Sequence, residues 1–286
     1  MPYIFSVPNL LSDRPGSVEV FYRRVGQLPA ADAYVFDMKT VTWVAPPGLI
    51  GLLLASRYLA KQSGKPVLLV NLADKLHSYL QRMDVLDHPE WLRTADEPRE
   101  EWLRNPQTLN LLEFTLINSV REVEAVAVRA RGVYGQLLSR SDLDSLIQVL
   151  SELCTNIIDH SGDANGGILI QAYKHPTESK RRIFLSVGDL GCGIRGSLAR
   201  LHSDIGPSPL DYIQAALQGR SARTTGRGGF GLRMATRIVQ RSGGFLWVRS
   251  ETASVHANAT GGLRAREDLA HVPGTQVTVL LEPSLT

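Results

Sequence analysis

Residues 141–161 read SDLDSLIQVLSELCTNIIDHS, and the fold of the larger part of the chain is decided here. Ser141 predicts an N-cap, with the helix running to His160. At about 100° per residue, Leu146, Leu150, Leu153 and Ile157 gather on one side, while Glu152, Asn156, Asp159 and His160 share an arc of about a quarter turn. An amphipathic helix with a solvated polar face is the ordinary explanation. Asn and Asp, however, are poor helix-interior residues, and a solvated face more often carries Lys, Glu or Arg. A carboxylate and a side-chain amide one turn apart suit an oxygen-seeking Mg²⁺ and a positioned water.

Working outward, two strands follow, GILIQAY at 167–173 and RIFLSVGD at 182–189. The second ends at Asp189 and leads into LGCGI, where Gly191 and Gly193 let the backbone approach a flat ligand closely. Further on, GRGGFGL puts Gly226, Gly228, Gly229 and Gly231 directly before a helix at about 232–241. Bare amides beside a positive helix end make a phosphate cradle. The cluster lacks GK[ST], so it is no Walker A loop, and it lacks the dinucleotide-fold spacing with a downstream acid. Strands at 244–250 and 275–281, a β run at 109–117 and a long helix to about Leu138 complete this part. Strands and helices segregated in this way predict one sheet covered by helices on one face, an α+β two-layer sandwich.

The first third has a different rhythm. AYVFDM at 33–38 reads as a buried strand ending at Asp37. A helix at 48–62 follows, apolar on every side except the edge of Arg57 and Lys61. Ser63 and Gly64 close it, Lys65-Pro66 opens the strand at 67–72, and a helix at 75–83 carries Leu76, Tyr79, Leu80 and Met83. Strand, helix, strand implies a parallel crossover, hence α/β. Residues 88–107 are rich in proline and charge with few apolar residues, which marks a domain boundary. Trp91 and Trp102 are expected to pack this stretch against a domain. The organisation predicted is a first domain at 1–95, a linker at 96–107 and a second domain at 108–286.

Composition sets the outer bounds. At about 150 residues per domain, 286 residues predict two domains. With 43% hydrophobic and 21% charged residues the chain is neither disordered nor fibrous. A net charge of +3 without like-charge blocks permits an anionic ligand and offers no nucleic-acid arm. Cys154 and Cys192 have no metal spacing and fit a reducing cytoplasm. The apolar run at 44–55 is too short for a membrane span and contains Pro46 and Pro47. The start of the chain lacks a signal peptide's basic region. A soluble cytoplasmic protein that engages neither membrane nor nucleic acid is expected.

ELCTNIIDH, DLGCGI, GRGGFGL and the late PGT at 273–275 together resemble the N, G1, G2 and final Thr elements of the GHKL (Bergerat-fold) ATPases, over roughly 109–283. With His160 closing the first motif, the chain is most similar to the anti-sigma-factor serine kinases. The resemblance implies ATP and ADP as ligands with Mg²⁺ as cofactor. It implies that Asp189 accepts from the adenine amino group with support from Thr275, and that Asn156 coordinates Mg²⁺. Glu152 would polarise the attacking oxygen or help hold the metal, and Gly191 and Gly193 would shape the adenine pocket. Gly226, Arg227, Gly228, Gly229, Phe230, Gly231 and Leu232 would form the lid and helix start beside the phosphates. Arg195, Arg220, Arg223 and Arg227 stay open as phosphate contacts. Cys192 reads as a small buried residue.

Residues 1–95 resemble the STAS fold of anti-sigma-factor antagonists. In that family a serine in the turn before the central helix accepts phosphate from the partner kinase. Here the turn is Ala45, Pro46, Pro47, Gly48 and holds no hydroxyl; Thr40 and Thr42 lie upstream. This domain is expected to bind protein partners, with the apolar helix start at 46–54 partly exposed, and a homodimer fits the pattern. The function implied is an anti-sigma-type serine/threonine kinase in bacterial-type signalling. The alternative is a switch that binds or slowly hydrolyses ATP and regulates partners without phosphotransfer.

Overall fold

A computed structural model describes residues 1–9, 15–95, 111–174, 181–222 and 231–283. The chain divides into two compact units, Met1–Thr108 and Leu109–Thr286.

The first unit alternates strand and helix: β1 (Pro2–Ser6), α1 (Pro15–Val25), β2 (Ala33–Asp37), α2 (Pro46–Ser63), β3 (Val67–Val70), α3 (Asp74–Arg82) and β4 (Leu92–Thr94). The strands are parallel and lie side by side in chain order. The anticipated β2–α2–β3 crossover is present, and β1, α1 and β4 extend it. β4 falls inside the stretch read as a boundary. Its three residues, Leu-Arg-Thr, are too few to carry a strand period.

Aromatic rings build the core, with Phe36 of β2 5.3 Å from Phe5 and 5.9 Å from Phe21, both edge-on. α2 is buried from Pro46 through Ser56, so its start is not the exposed apolar patch the sequence led us to expect. A helix apolar on every side belongs inside. At Gly51 a Cβ would stand 3.0 Å from Val18 Cγ1, so the glycine lets α1 and α2 meet closely. Trp91 is buried as expected, stacked 4.4 Å from the His88 ring and with the Arg57 guanidinium 4.8 Å from its ring centre. Trp102 lies outside the described residues.

The second unit contains β5 (Leu111–Leu116), α4 (Val120–Tyr134), α5 (Arg140–Asn156), a π-helical turn at Ile157–Ser161, β6 (Gly167–Lys174) and β7 (Arg181–Asp189). It continues with α6 (Gly193–Leu198), α7 (Pro209–Gln218), α8 (Gly231–Ser242), β8 (Phe245–Glu251), β9 (Ala253–Asn258), β10 (Leu263–Arg266) and β11 (Val272–Leu281). Its seven strands form one antiparallel sheet in the order β10-β9-β8-β11-β7-β6-β5. Ile168, Ile170, Leu185, Val187, Val248, Val277 and Val279 present one face of that sheet to Val126 of α4, Leu146, Leu150 and Leu153 of α5, and Ala235 and Ile238 of α8. This is the helix-covered sheet that the segregated pattern predicted.

Ser139, not Ser141, caps α5: its hydroxyl accepts from Asp142 N at 3.1 Å. The signal was the S-x-x-D spacing from Ser139 to Asp142. α6, α7, β9 and β10 went unread in the sequence. α6 spans six residues with two glycines, and β10 is exposed throughout, so neither shows a buried period. Among the described residues no helix is long and apolar enough to cross a membrane.

Candidate functional site

A cleft of about 850 Å³, its open mouth included, lies in the second unit. It is lined by Glu152 and Asn156 of α5, His160 and Ser161 of the π turn, Asp189 of β7, and Thr275 of β11. Gly193, Ile194, Ser197 and Leu198 of α6 add a wall, as do Arg220, Ser221 and Ala222 beyond α7, and Gly231 and Leu232 at the start of α8. Of the residues singled out in the sequence, Glu152, Asn156, Asp189, Gly193, Gly231, Leu232 and Thr275 therefore meet around one space. Gly226, Arg227, Gly228, Gly229 and Phe230 lie outside the described residues, as does Arg223.

The π turn decides which polar residues of this helix face the cleft. Its wider winding takes more residues per turn than the α-helical phase assumed for the quarter-turn arc. His160 lines the cleft with Asn156, whereas Asp159 is exposed and does not line it. Gly162, with φ 69°, ends the turn. Ser161 ties it internally, donating to Ile157 O at 2.7 Å and accepting from Asp163 N at 2.9 Å.

Asp189 is 6% exposed and stands at the end of β7, directly opposite Thr275 of β11. Its Oδ1 accepts from Gly191 N at 2.9 Å, which fixes the carboxylate at the strand end. Gly191 itself is not among the residues lining the cleft. A Cβ there would run into the backbone carbonyl of Ser161, so the glycine permits the loop to lie against the π turn. Gly193 does line the cleft, at φ 70°.

Cys192 reinforces the same seam, its backbone N donating to Ser161 O at 2.8 Å and its Sγ to His160 O at 3.0 Å. It is exposed, not buried as expected, and it is not among the cleft residues. The hydrogen-bonded turn holds its side chain on the outside of the loop. Desolvation of Sγ, and then the Asp189 carboxylate, push its thiol up. Cys154 is buried in the core, and burial pushes its thiol up as well.

Gly231 opens α8 against α5. A Cβ at this position would stand 3.2 Å from Asn156 Nδ2 and 3.3 Å from Glu152 Cβ. The N-terminus of α8 thus lies beside the carboxylate and the amide, so that end of the cleft joins a helix dipole to two oxygen donors. Those donors fit a hard cation that takes its remaining oxygens from phosphates and water.

Sequence reasoning missed several positioning residues. Asp163 Oδ2 accepts from Leu190 N at 2.7 Å and holds the loop after β7. Its signal was the D-x-N turn, in which Oδ1 accepts from Asn165 N at 3.0 Å. Ser250 of β8 donates to Gly274 O at 3.1 Å and accepts from Ile194 N at 3.0 Å, joining the start of α6 to the approach to Thr275. Nothing local marks Ser250, because its partners are remote in sequence. Gly274, with φ 82°, could have been read from PGT: a Cβ there would strike the Asp189 carbonyl.

No curated protein matches the chain. A family model described as "Histidine kinase-, DNA gyrase B-, and HSP90-like ATPase" matches residues 141–284, just over half the chain, and spans α5 through β11 with every described residue of the cleft. The antiparallel sheet under its helices and the cleft between α5, α6 and α8 are consistent with the Bergerat fold, and the chain belongs to the histidine kinase-, DNA gyrase B- and HSP90-like ATPases.

Proposed function

We propose that this ATPase-family chain binds Mg-ATP in the cleft and transfers the terminal phosphoryl group to a serine or threonine of a partner protein, as an anti-sigma-type kinase. The observation that carries this reading is the convergence of Glu152, Asn156 and the Gly231 end of α8 at one part of the cleft that also holds Asp189 and Thr275. Asp189 accepts from the adenine amino group, and Thr275 supports it across the β7–β11 pair. Glu152 takes the proton from the attacking hydroxyl as the new O–P bond forms. The bond between the terminal phosphorus and its bridging oxygen breaks, and ADP leaves. Asn156 would hold Mg²⁺, which would supply neutralisation of the developing phosphate charge.

The first unit acts in this proposal as a STAS-like docking module and not as the acceptor. Its turn at 45–48 has no hydroxyl. Thr40 Oγ1 donates to Val7 O at 3.1 Å, and Thr42 Oγ1 donates to Asn9 Oδ1 at 3.2 Å. The acceptor-free turn also favours a second reading, an ATP-driven conformational switch that releases phosphate without transferring it. The full-length chain, incubated with Mg²⁺, ATP labelled in the terminal phosphate and a separate STAS-domain protein that has a serine in this turn, distinguishes the two. Label on that serine is the expected result. Inorganic phosphate alone selects the switch, and label on Thr40, Thr42 or a serine of the first unit overturns the docking role.

A further inference from the structure

Two carboxylates, Glu152 and Asp189, line the cleft, and Arg220 is the one arginine among the described residues that lines it with them. Of the arginines left open by the sequence, Arg195 places its guanidinium on the Glu251 carboxylate at 2.8 Å and does not line the cleft. Arg223 and Arg227 lie outside the described residues. Gly219 ends α7 at φ 101° and folds the chain back, so that Arg220 N donates to Ala215 O at 2.9 Å.

The guanidinium rests on two acceptors. Nη2 donates to Asp204 Oδ2 at 2.5 Å, and Nη1 is 3.4 Å from His202 Nδ1. His202 Nε2 is 2.7 Å from Ser221 O. A carbonyl oxygen only accepts, so Nε2 carries the ring proton and Nδ1 turns a lone pair toward Arg220. The side chains of Arg220 and Asp204 are 47% and 58% exposed. An ion pair that open to water holds by a factor of about five or less. An arginine fork on phosphate oxygens in a partly enclosed cleft is stronger, about ten- to a hundredfold. A phosphate within reach therefore outcompetes Asp204.

We propose that Arg220 reads the phosphate chain of the bound nucleotide, and that Asp204 and His202 hold its guanidinium at the cleft wall until phosphate takes their place. The proposal rests on the cleft being the nucleotide site. It makes Arg220 the determinant of preference for nucleotide over nucleoside, and Asp204 a built-in competitor that lowers affinity.

Calorimetry on the full-length chain, with Mg-ATP and with adenosine as separate probes, tests this. Arg220→Gln is expected to weaken Mg-ATP about ten- to a hundredfold while changing adenosine less than about twofold. Asp204→Asn is expected to tighten Mg-ATP by up to about fivefold with adenosine unchanged. A gain of affinity cannot arise from misfolding. Equal loss of both probes in Arg220→Gln, or unchanged Mg-ATP affinity, overturns the assignment, as does weaker Mg-ATP binding in Asp204→Asn. Asp189→Asn separates the levels: if it leaves both probes unaffected, the reading of the cleft has failed and the proposal falls with it. If it weakens both while Arg220→Gln changes neither, only the role of Arg220 fails.

Discussion

Each unit ends a strand on an aspartate that leads toward a helix, and the two positions are put to different use. Asp37 closes β2, where its Oδ1 accepts from Lys39 N at 3.0 Å and from Asn71 Nδ2 at 2.9 Å. The Asn71 amide, and after it the Lys39 amide, hold this carboxyl below the usual aspartate range. The helix beyond begins at Pro46 and Pro47, which remove amide donors from its first turn. Asp189 closes β7, accepts a hydrogen bond from Gly191 N of its own loop, and faces a cleft. Glycines follow it, and they let the loop pack against the π turn and leave room at its edge. The same strand-end aspartate therefore braces one loop and furnishes one site, and the difference lies in the residues that follow.

The largest expected effect isolates chemistry within the second unit. Glu152→Gln should lower hydrolysis or transfer about 10²–10⁴-fold while Mg-ATP binding is kept, because a carboxylate acting on the attacking oxygen matters mainly in the transition state. Single-turnover rates beside calorimetry check it. Equal losses in both would make Glu152 a metal-holding residue. The next effect tests the comparison itself. Asp189→Asn should weaken ATP about ten- to a hundredfold, since an amide nitrogen would meet a donor of the adenine amino group. Asp37→Asn should leave ATP affinity where it was. A matching loss in the Asp37 variant would break the contrast between the two aspartates.

Which parts of this could be read in the sequence follows a physical line. The polar helix at 152–160, the glycine at the start of α8 and the strand ending at Asp189 were legible because their residue types conflict with an ordinary amphipathic or loop setting. The π turn was not legible: nothing in NIIDHS announces a wider winding, so Asp159 and His160 were assigned the same face. Gly191 was legible as a close-approach glycine, and the backbone it approaches is the Ser161 carbonyl. Ser250 owes its place to hydrogen bonds with Ile194 and Gly274, remote in sequence, which no local pattern encodes. In the first unit the β2–α2–β3 crossover showed in apolar runs and caps, whereas β4 is three residues at a sheet edge. α2 illustrates how composition and context combine: its apolar start looked available for docking until its burial on every side was seen.

The smallest expected effect probes the aspartate that the first unit keeps for itself. Asn71 adopts φ 59°, so replacing it with alanine would add backbone strain to the loss of its amide. Asn71→Gly removes the amide while the backbone stays comfortable. Because the folded carboxyl of Asp37 is held below its ordinary value, the unfolded chain binds more protons in the interval between the two. The stabilisation by this brace is complete above about pH 4, the ordinary aspartate value, and fades as pH falls through the folded one. The pair is open to solvent, so the contribution is about 0.5 kcal/mol at neutral pH, or about 2–4 °C in the melting of a unit this size. Thermal melts of the full-length chain should show Asn71→Gly below the parent at pH 7, with the gap closing below pH 4 and ATP affinity unchanged. A gap of the same size at pH 3 and pH 7 would mean that Asn71 acts through the backbone and not through Asp37.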